Sequence, residues 1–315
     1  MNFLWRRMGG AAVVLAIVAV LVFLLTRLAS GDPIALLLGD QATAADIAQV
    51  RVQYGLDKPL PTQFMIWLGE LARGNLGQSI FLQMPVAQAL IERSEPTLML
   101  ALFAVGIAAA IGIPCGMVAA IWRGSAADQV LSGVAMLGAS IPSFWLGLIL
   151  IQIFAVHLGW FPASGYGDPG IGFGARLSHL FLPACVLGLL NSALITRFTR
   201  ASVLEVLGED YVRTARAKGL SEWAVMLRHV LRNALVPIIT VLGLTTALMI
   251  GGTVVTETVF NLPGVGNLVV RAVLRRDYPV IQGALLVIAG IYVLINLTID
   301  LLYTVVDPRI RLERS

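Results

Sequence analysis

Long apolar runs, each closed by charge or by Gly and Pro, dominate the hydropathy pattern of this 315-residue chain. A helix needs roughly 20 mostly apolar residues to cross the hydrocarbon core. Six runs meet that length: Gly9 to Leu28, Thr97 to Trp122, Val130 to Leu158, Leu180 to Thr199, Ala234 to Val255 and Val280 to Val306. Helices are expected because only they satisfy their own backbone polar groups without water. The pattern therefore predicts an all-α membrane protein with six transmembrane helices. The first run exceeds the roughly 7 to 15 apolar residues of a cleaved signal peptide, so it is read as a span.

Polar stretches divide the rest. Residues 1–29 hold the first span, 30–95 an external insertion between helices 1 and 2, 96–306 a core with the other five spans, and 307–315 a tail. Within the insertion, Ala44 to Gln53 reads as a short helix broken by Gly55-Leu56-Asp57-Lys58-Pro59, and Thr62 to Leu71 as a second, amphipathic one. Trp67 suits either the headgroup level or packing on the spans. Gly159 to Ser178 is glycine-rich and predicts an irregular external cap. In the longest remaining polar stretch, 200–233, Val212, Ala215, Gly219 or Leu220, Trp223, Leu227 and Val230 recur with a period near 3.6. Two short amphipathic helices broken near Gly219-Leu220-Ser221 fit this, with Ser221 capping the second. Such basic helices lie on anionic headgroups or dock a protein, and the periodicity leaves both open.

Composition agrees: 58% of residues are hydrophobic and 13% charged, far below the roughly 25% charge of a soluble domain. Positive residues are retained on the cytoplasmic side, and Arg6, Arg7, Arg123, Arg197, Arg200, Arg213, Arg216, Lys218, Arg228, Arg232, Arg309, Arg311 and Arg314 place both termini inside. Arg271, Arg275 and Arg276 oppose that rule beside Asp277. The net charge of +4 is thus explained by topology, and nucleic acid is not an expected partner. Cys115 and Cys185 fall inside spans as small apolar residues, and His157, His179 and His229 are scattered.

Several motifs are similar to those of one family. Tyr211-Val212-Arg213-Thr214-Ala215-Arg216-Ala217-Lys218-Gly219-Leu220, continuing through Arg228-His229-Val230-Leu231-Arg232-Asn233, resembles the cytoplasmic coupling loop of binding-protein-dependent ABC importer permeases, in the dipeptide, oligopeptide and nickel branch. Against the general Glu-Ala-Ala, three residues, Gly pattern, Ala215 and Gly219 match strictly. Gly31-Asp32-Pro33, Arg73-Gly74-Asn75-Leu76-Gly77, Ser140-Ile141-Pro142-Ser143-Phe144-Trp145, Glu257 through Gly266, Arg276-Asp277-Tyr278-Pro279 and Asp307-Pro308-Arg309 continue the resemblance along nearly the whole chain.

The resemblance implies a type I ABC importer permease architecture, a bacterial inner-membrane location, a second homologous permease subunit, two ATPase subunits, an external solute-binding protein and a peptide substrate, with a nickel chelate or a glutathione-like solute as the alternative cargo. It also implies that Arg213, Thr214, Ala215, Arg216, Ala217, Gly219, Leu220 and Trp223 form the ATPase-coupling loop. A coupling role predicts that Gly219→Arg abolishes uptake. A scaffold role predicts that changes there leave it intact.

The chain has two lysines, Lys58 and Lys218, and neither follows a glycine, so a Walker-type phosphate loop is absent. ATP and Mg are therefore expected on partner subunits, with no cofactor, metal or catalytic set in this chain. A self-sufficient secondary transporter would show internal repeats, and none stands out. Polar residues within spans are costly and should face protein or a water-filled path. On that ground Ser140, Asn191, Thr246, Glu257, Asn296 and Asp300 are candidate path or gate residues, joined by Pro142 because a proline in a span frees backbone groups, with structural alternatives for each. For Pro142 the structural alternative is a kink in the third span.

Overall fold

The computed structural model describes residues 2–28, 43, 52, 57–168, 170 and 172–306. The expected helix over Ala44 to Gln53, the Gly31-Asp32-Pro33 motif and the tail 307–315 lie outside them. Eleven α-helices are described: α1 Asn2–Leu28, α2 Leu60–Ala72, α3 Val86–Ile121, α4 Ala126–Ser140, α5 Ser143–Leu150, α6 Phe173–Leu207, α7 Asp210–Ala217, α8 Glu222–Val225, α9 Arg232–Val259, α10 Val265–Arg275 and α11 Tyr278–Val306. Among the described residues the only β pairing is an isolated Gln78 to Pro85 bridge. Two π-helical turns occur, Ile151–His157 after α5 and Met226–Leu231 between α8 and α9.

Among the described residues, five helices are long and apolar enough to cross a membrane, six if the bent pair Ala126–Ser140 and Ser143–His157 is one span. That pair replaces the single third span expected from Val130 to Leu158, and its halves meet at 101°. Ile141 and Pro142 are both extended, with ψ of 127° and 132°, so this is a break and not a kink. Proline supplies no N–H and its ring drives the preceding residue out of the helical region. Ser143 then starts α5, with Leu146 N–H donating to the Pro142 carbonyl at 3.1 Å.

The other spans are longer than their apolar runs. α3 begins well before Thr97 and passes through Pro96 and Pro114, and α6 extends past Thr199 to Leu207. Helix α10 is amphipathic and was not expected: Val265, Leu268 and Ala272 are buried while Val273 and Leu274 are exposed. Of the expected irregular cap Gly159 to Ser178, the described residues before Phe173 are irregular, with Gly165 N–H donating to the Phe260 carbonyl at 2.9 Å, whereas Phe173 to Ser178 already belong to α6.

The described chain forms two compact units, Met1–Glu95 with Asn267–Val293 and Pro96–Gly266 with Leu294–Ser315. Asn267–Val293, expected within the core, thus group with the N-terminal residues. Three contacts explain why. Asp277, 2% exposed, accepts Ser79 Oγ at 2.6 Å and the Ile80 and Phe81 amides at 3.3 Å. Gln282 Nε2 donates to Thr26 Oγ1 of α1 at 2.6 Å. A Cβ at Gly283 would lie 2.6 Å from the Val86 side chain, so that side chain packs directly on the glycine backbone. In this unit α2 packs Phe64 and Trp67 onto Phe23 of α1, with ring centroids 5.2 and 5.7 Å apart.

In the second unit α3 and α6 approach at glycines. A Cβ at Gly112 would stand 2.7 Å from Ile195, and one at Gly116 2.6 Å from the Thr196 carbonyl. Gly188 receives Ile107 in return. Small residues four apart allow such approach where lipid removes the hydrophobic drive for association. Around this seam lies a core of Leu100, Ala104, Leu180, Val186, Leu187, Ile195, Met249, Phe260 and Leu262. A second core of Ala120, Val203, Val212, Ala215, Val225, Met226, Val230, Ala234 and Ile238 supports the polar loop after α6.

Candidate functional site

Helix α6 ends at Leu207, and Glu209, extended at φ −72° and ψ 144°, opens α7. Asp210 in the first turn suits the positive helix N-terminus. The helix closes on Gly219, φ +78°, with Gly219 N–H donating to the Arg216 carbonyl at 2.9 Å and Leu220 N–H to the Ala215 carbonyl at 3.4 Å. These are the two bonds of a Schellman cap, which needs a left-handed residue at that position. Ser221 caps the next helix as expected, its Oγ accepting from Ala224 N–H at 3.3 Å.

The second coupling helix is not a separate short element. From Glu222 the chain stays helical through α8, the π turn and α9 to Val259. Arg216 spans the glycine turn and grips Glu222 with two bonds, Nε to Oε1 at 2.9 Å and Nη2 to Oε2 at 3.1 Å. Both are largely solvated, so the pair contributes about 0.2–1 kcal/mol. Its orientation of α7 against α8 matters more than its energy.

The single apolar stripe expected from Val212 to Val230 divides into two. Val212, Ala215 and Val230 turn inward into the second core. Leu220, Trp223 and Leu227 face outward with Tyr211, and Trp223 is 71% exposed. The left-handed turn resets the helical phase, so a 3.6-residue spacing cannot be continued across it. Arg213, Thr214, Arg216, Ala217 and Gly219 are also exposed. Of the expected loop residues, therefore, all but Ala215 reach the surface. Partial burial, and after it the Glu209 charge, raises the Tyr211 phenol above its usual value, so it stays a neutral donor. Tyr211 and Leu227 were missed as surface residues. An aromatic one position before Val212, and so off the apolar stripe, was the available signal for Tyr211.

The candidate path residues do not converge on one site. Ser140 Oγ and Pro142 are exposed at the α4–α5 break, the hydroxyl donating to the Met136 carbonyl at 3.1 Å. Asn191 Nδ2 and Thr246 Oγ1 donate to carbonyls of their own helices, Leu187 at 2.8 Å and Leu242 at 2.7 Å. Asn296 and Asp300 lie one turn apart on α11, half-buried and 7% exposed. A cavity of about 250 Å³ does lie beside the break, but Ile111, Cys115, Leu131, Val134, Ile141 and Leu189 make it apolar and none of these candidates lines it.

Glu257 is fully buried, which favours the structural reading of it. Thr97 Oγ1 donates to its Oε1 at 2.6 Å while accepting Val265 N–H at 2.9 Å. The loop Asn261 to Gly266 wraps the carboxylate so closely that a Cβ at Gly264 would collide with it. Asp128 plays a similar part elsewhere: Arg200 holds it at 2.7 Å through both Nε and Nη2, and Gly124 N–H donates to it at 2.9 Å. Neither Thr97 nor Asp128 was anticipated, although Ser125-x-x-Asp128 is a capping-box signature.

Comparison with known proteins decides the family. Residues 112–312 match the binding-protein-dependent transport system inner membrane component, and residues 1–101 match its N-terminal companion. The chain belongs to this permease family. A probable peptide ABC transporter permease of Sinorhizobium fredii is 47% identical over 98% of this chain and 99% of its own length. A putative peptide transport system permease of Brucella abortus is 45% identical over 98% of each. The glutathione transport system permease GsiC of Escherichia coli is 43% identical over 99% of each. In fold the permease is similar to the MetNI methionine ABC transporter, at TM-score 0.59 and 18% identity over 70% of this chain and 97% of that one. The permease is accordingly a multi-pass inner-membrane subunit of an ABC transporter, with the type I importer fold.

Proposed function

We propose that this permease carries peptides or short peptide-like solutes inward as one of two permease subunits, with ATP and Mg bound and hydrolysed on two partner ATPase subunits. An external solute-binding protein delivers the cargo. The surface of Tyr211, Leu220, Trp223 and Leu227, with Arg213 and Arg216 also exposed, is the ATPase-docking face, and these exposed apolar side chains on either side of a Schellman-capped turn carry the reading. Supporting the cargo class are the full-length relatives named for peptide and glutathione transport, glutathione being itself a tripeptide. In this scheme the loop is a lever: closure of the ATPase subunits displaces α7 and α8, and because α8 runs without interruption into α9, the movement reaches a membrane-spanning helix directly.

The test is reconstitution with the cognate ATPase, second permease and binding protein in liposomes, measuring uptake of labelled di- and tripeptides. Uptake should require ATP and every component. Trp223→Ala should lower ATP-driven uptake severalfold while leaving the melting temperature unchanged, since the ring is exposed. Solute movement through the permease without any ATPase would refute the scheme.

A further inference from the structure

Helix α2 has 13 residues, about 20 Å at 1.5 Å per residue, too short to span a bilayer. Its inward face is accounted for by Phe64 and Trp67 against Phe23 of α1 and by Gln63, whose Nε2 donates to the Lys58 carbonyl at 2.7 Å. The opposite face presents Met65, Ile66 and Leu68 at 66%, 47% and 37% exposure, with Thr62, Gly69 and Ala72 between them and no charge. A helix in water would place its charged residues on that side. Here they sit at the two ends instead. Lys58 precedes the helix, and Glu70 near its close is bound by Arg73 at 3.0 Å and by Asn75 at 2.8 Å.

What covers this face follows from its neighbour. Ala19, Val22, Phe23 and Thr26 form the buried stripe of α1, while the flanking Val20, Leu21, Leu24 and Leu25 are exposed, and Arg27 is the first charge that follows them in the sequence. Phe23 stands four residues before Arg27, a depth of about 6 Å at the helical rise. A helix resting on Phe23 is therefore within the roughly 5–10 Å depth at which interfacial helices bury their apolar faces. Its bare face is apolar, as is the exposed side of the α1 span it rests on.

We infer that α2 is a membrane-embedded interfacial helix, lying in the plane of the outer leaflet with Met65, Ile66 and Leu68 in the acyl region and Lys58, Glu70 and Arg73 among the headgroups. The insertion between the first two spans is thus anchored in lipid and does not stand wholly in water. The inference is independent of the cargo.

Two measurements on the assembled transporter test it. In phosphatidylcholine and phosphatidylglycerol nanodiscs, spin labels at Met65→Cys and Ile66→Cys, in a Cys115→Ala, Cys185→Ala background, should show an oxygen-to-nickel-chelate collision ratio severalfold above that at Arg73→Cys. The ratio should approach that at Leu24→Cys. Without any substitution, a phospholipid carrying a photoreactive diazirine in its acyl chain should give adducts in the peptide containing Met65 and Ile66. Labels as open to the nickel chelate as Arg73→Cys, or shielded from both reagents as beneath another protein, would overturn the inference. So would lipid adducts on α1 with none on α2.

Discussion

Gly219 offers a direct test of how the docking loop is held. The residue has φ +78°, and a Cβ built there meets nothing within 4 Å. A substitution therefore carries no steric term, only the cost of a left-handed L-residue, roughly 1–2 kcal/mol. That is about a 5- to 30-fold shift against the native turn. The Arg216 to Glu222 pair across the turn is exposed and too weak to offset it. Asparagine tolerates the left-handed region, alanine does so poorly and a β-branched residue worst.

Uptake and peptide-stimulated ATPase activity in reconstituted transporter should therefore fall in the order Gly, Asn, Ala, Val, with Asn close to wild type. Protease sensitivity at 218–221 should rise in the same order. The expectation that Gly219→Arg abolishes uptake mixes this backbone cost with a bulky charge on the docking face. Loss of uptake greater for Arg than for Ala measures the second part. If Gly219→Asn were as damaging as Gly219→Val at equal protein level, the left-handed turn would not be the reason for the glycine.

Other parts of the structure make further predictions. Gly116→Ala forces a Cβ to 2.6 Å from the Thr196 carbonyl and should destabilise by about 1–3 kcal/mol, less the helix-propensity gain of roughly 0.8–1 kcal/mol. Gly106→Ala on the same helix has nothing within 4 Å and should leave the melting temperature in nanodiscs unchanged or higher. Asp128→Asn, which breaks a two-bond pair with Arg200, should lower the melting temperature more than Glu222→Gln, whose pair with Arg216 is solvated. Glu257→Ala leaves the Thr97 hydroxyl without its acceptor and should cost about 1–3 kcal/mol for that group, whereas Glu257→Gln keeps an acceptor and should cost less in the same melt.

The places where the sequence misleads share a cause. Trp223 and Leu227 keep the spacing of Val212 and Ala215 yet face outward, because Gly219 interrupts the helix whose period the spacing assumes. Glu257 reads as a rim residue from its neighbours, but its environment is made by Thr97, 160 positions away, and by the glycines after Pro263. The capping role of Ser221 was legible because its partner lies three residues on. Likewise the partner of Asp277 is not legible, because Asp277 accepts a bond from Ser79 across 198 positions.

The sequence by itself determined that this is a helical membrane protein, roughly where its spans lie, that it has no phosphate loop of its own, and which family it resembles. Each of these depends on composition or on residues a few positions apart, which helix geometry and the bilayer's thickness constrain locally. Only the tertiary structure decided that Pro142 breaks its span while Pro96, Pro114, Pro183 and Pro237 sit within unbroken helices. It also decided that α8 is the leading end of α9, that Ala215 faces inward, and that α2 is apolar on the side turned from α1. Proline and glycine set what the backbone tolerates at each point, but packing between distant segments selects among the tolerated conformations.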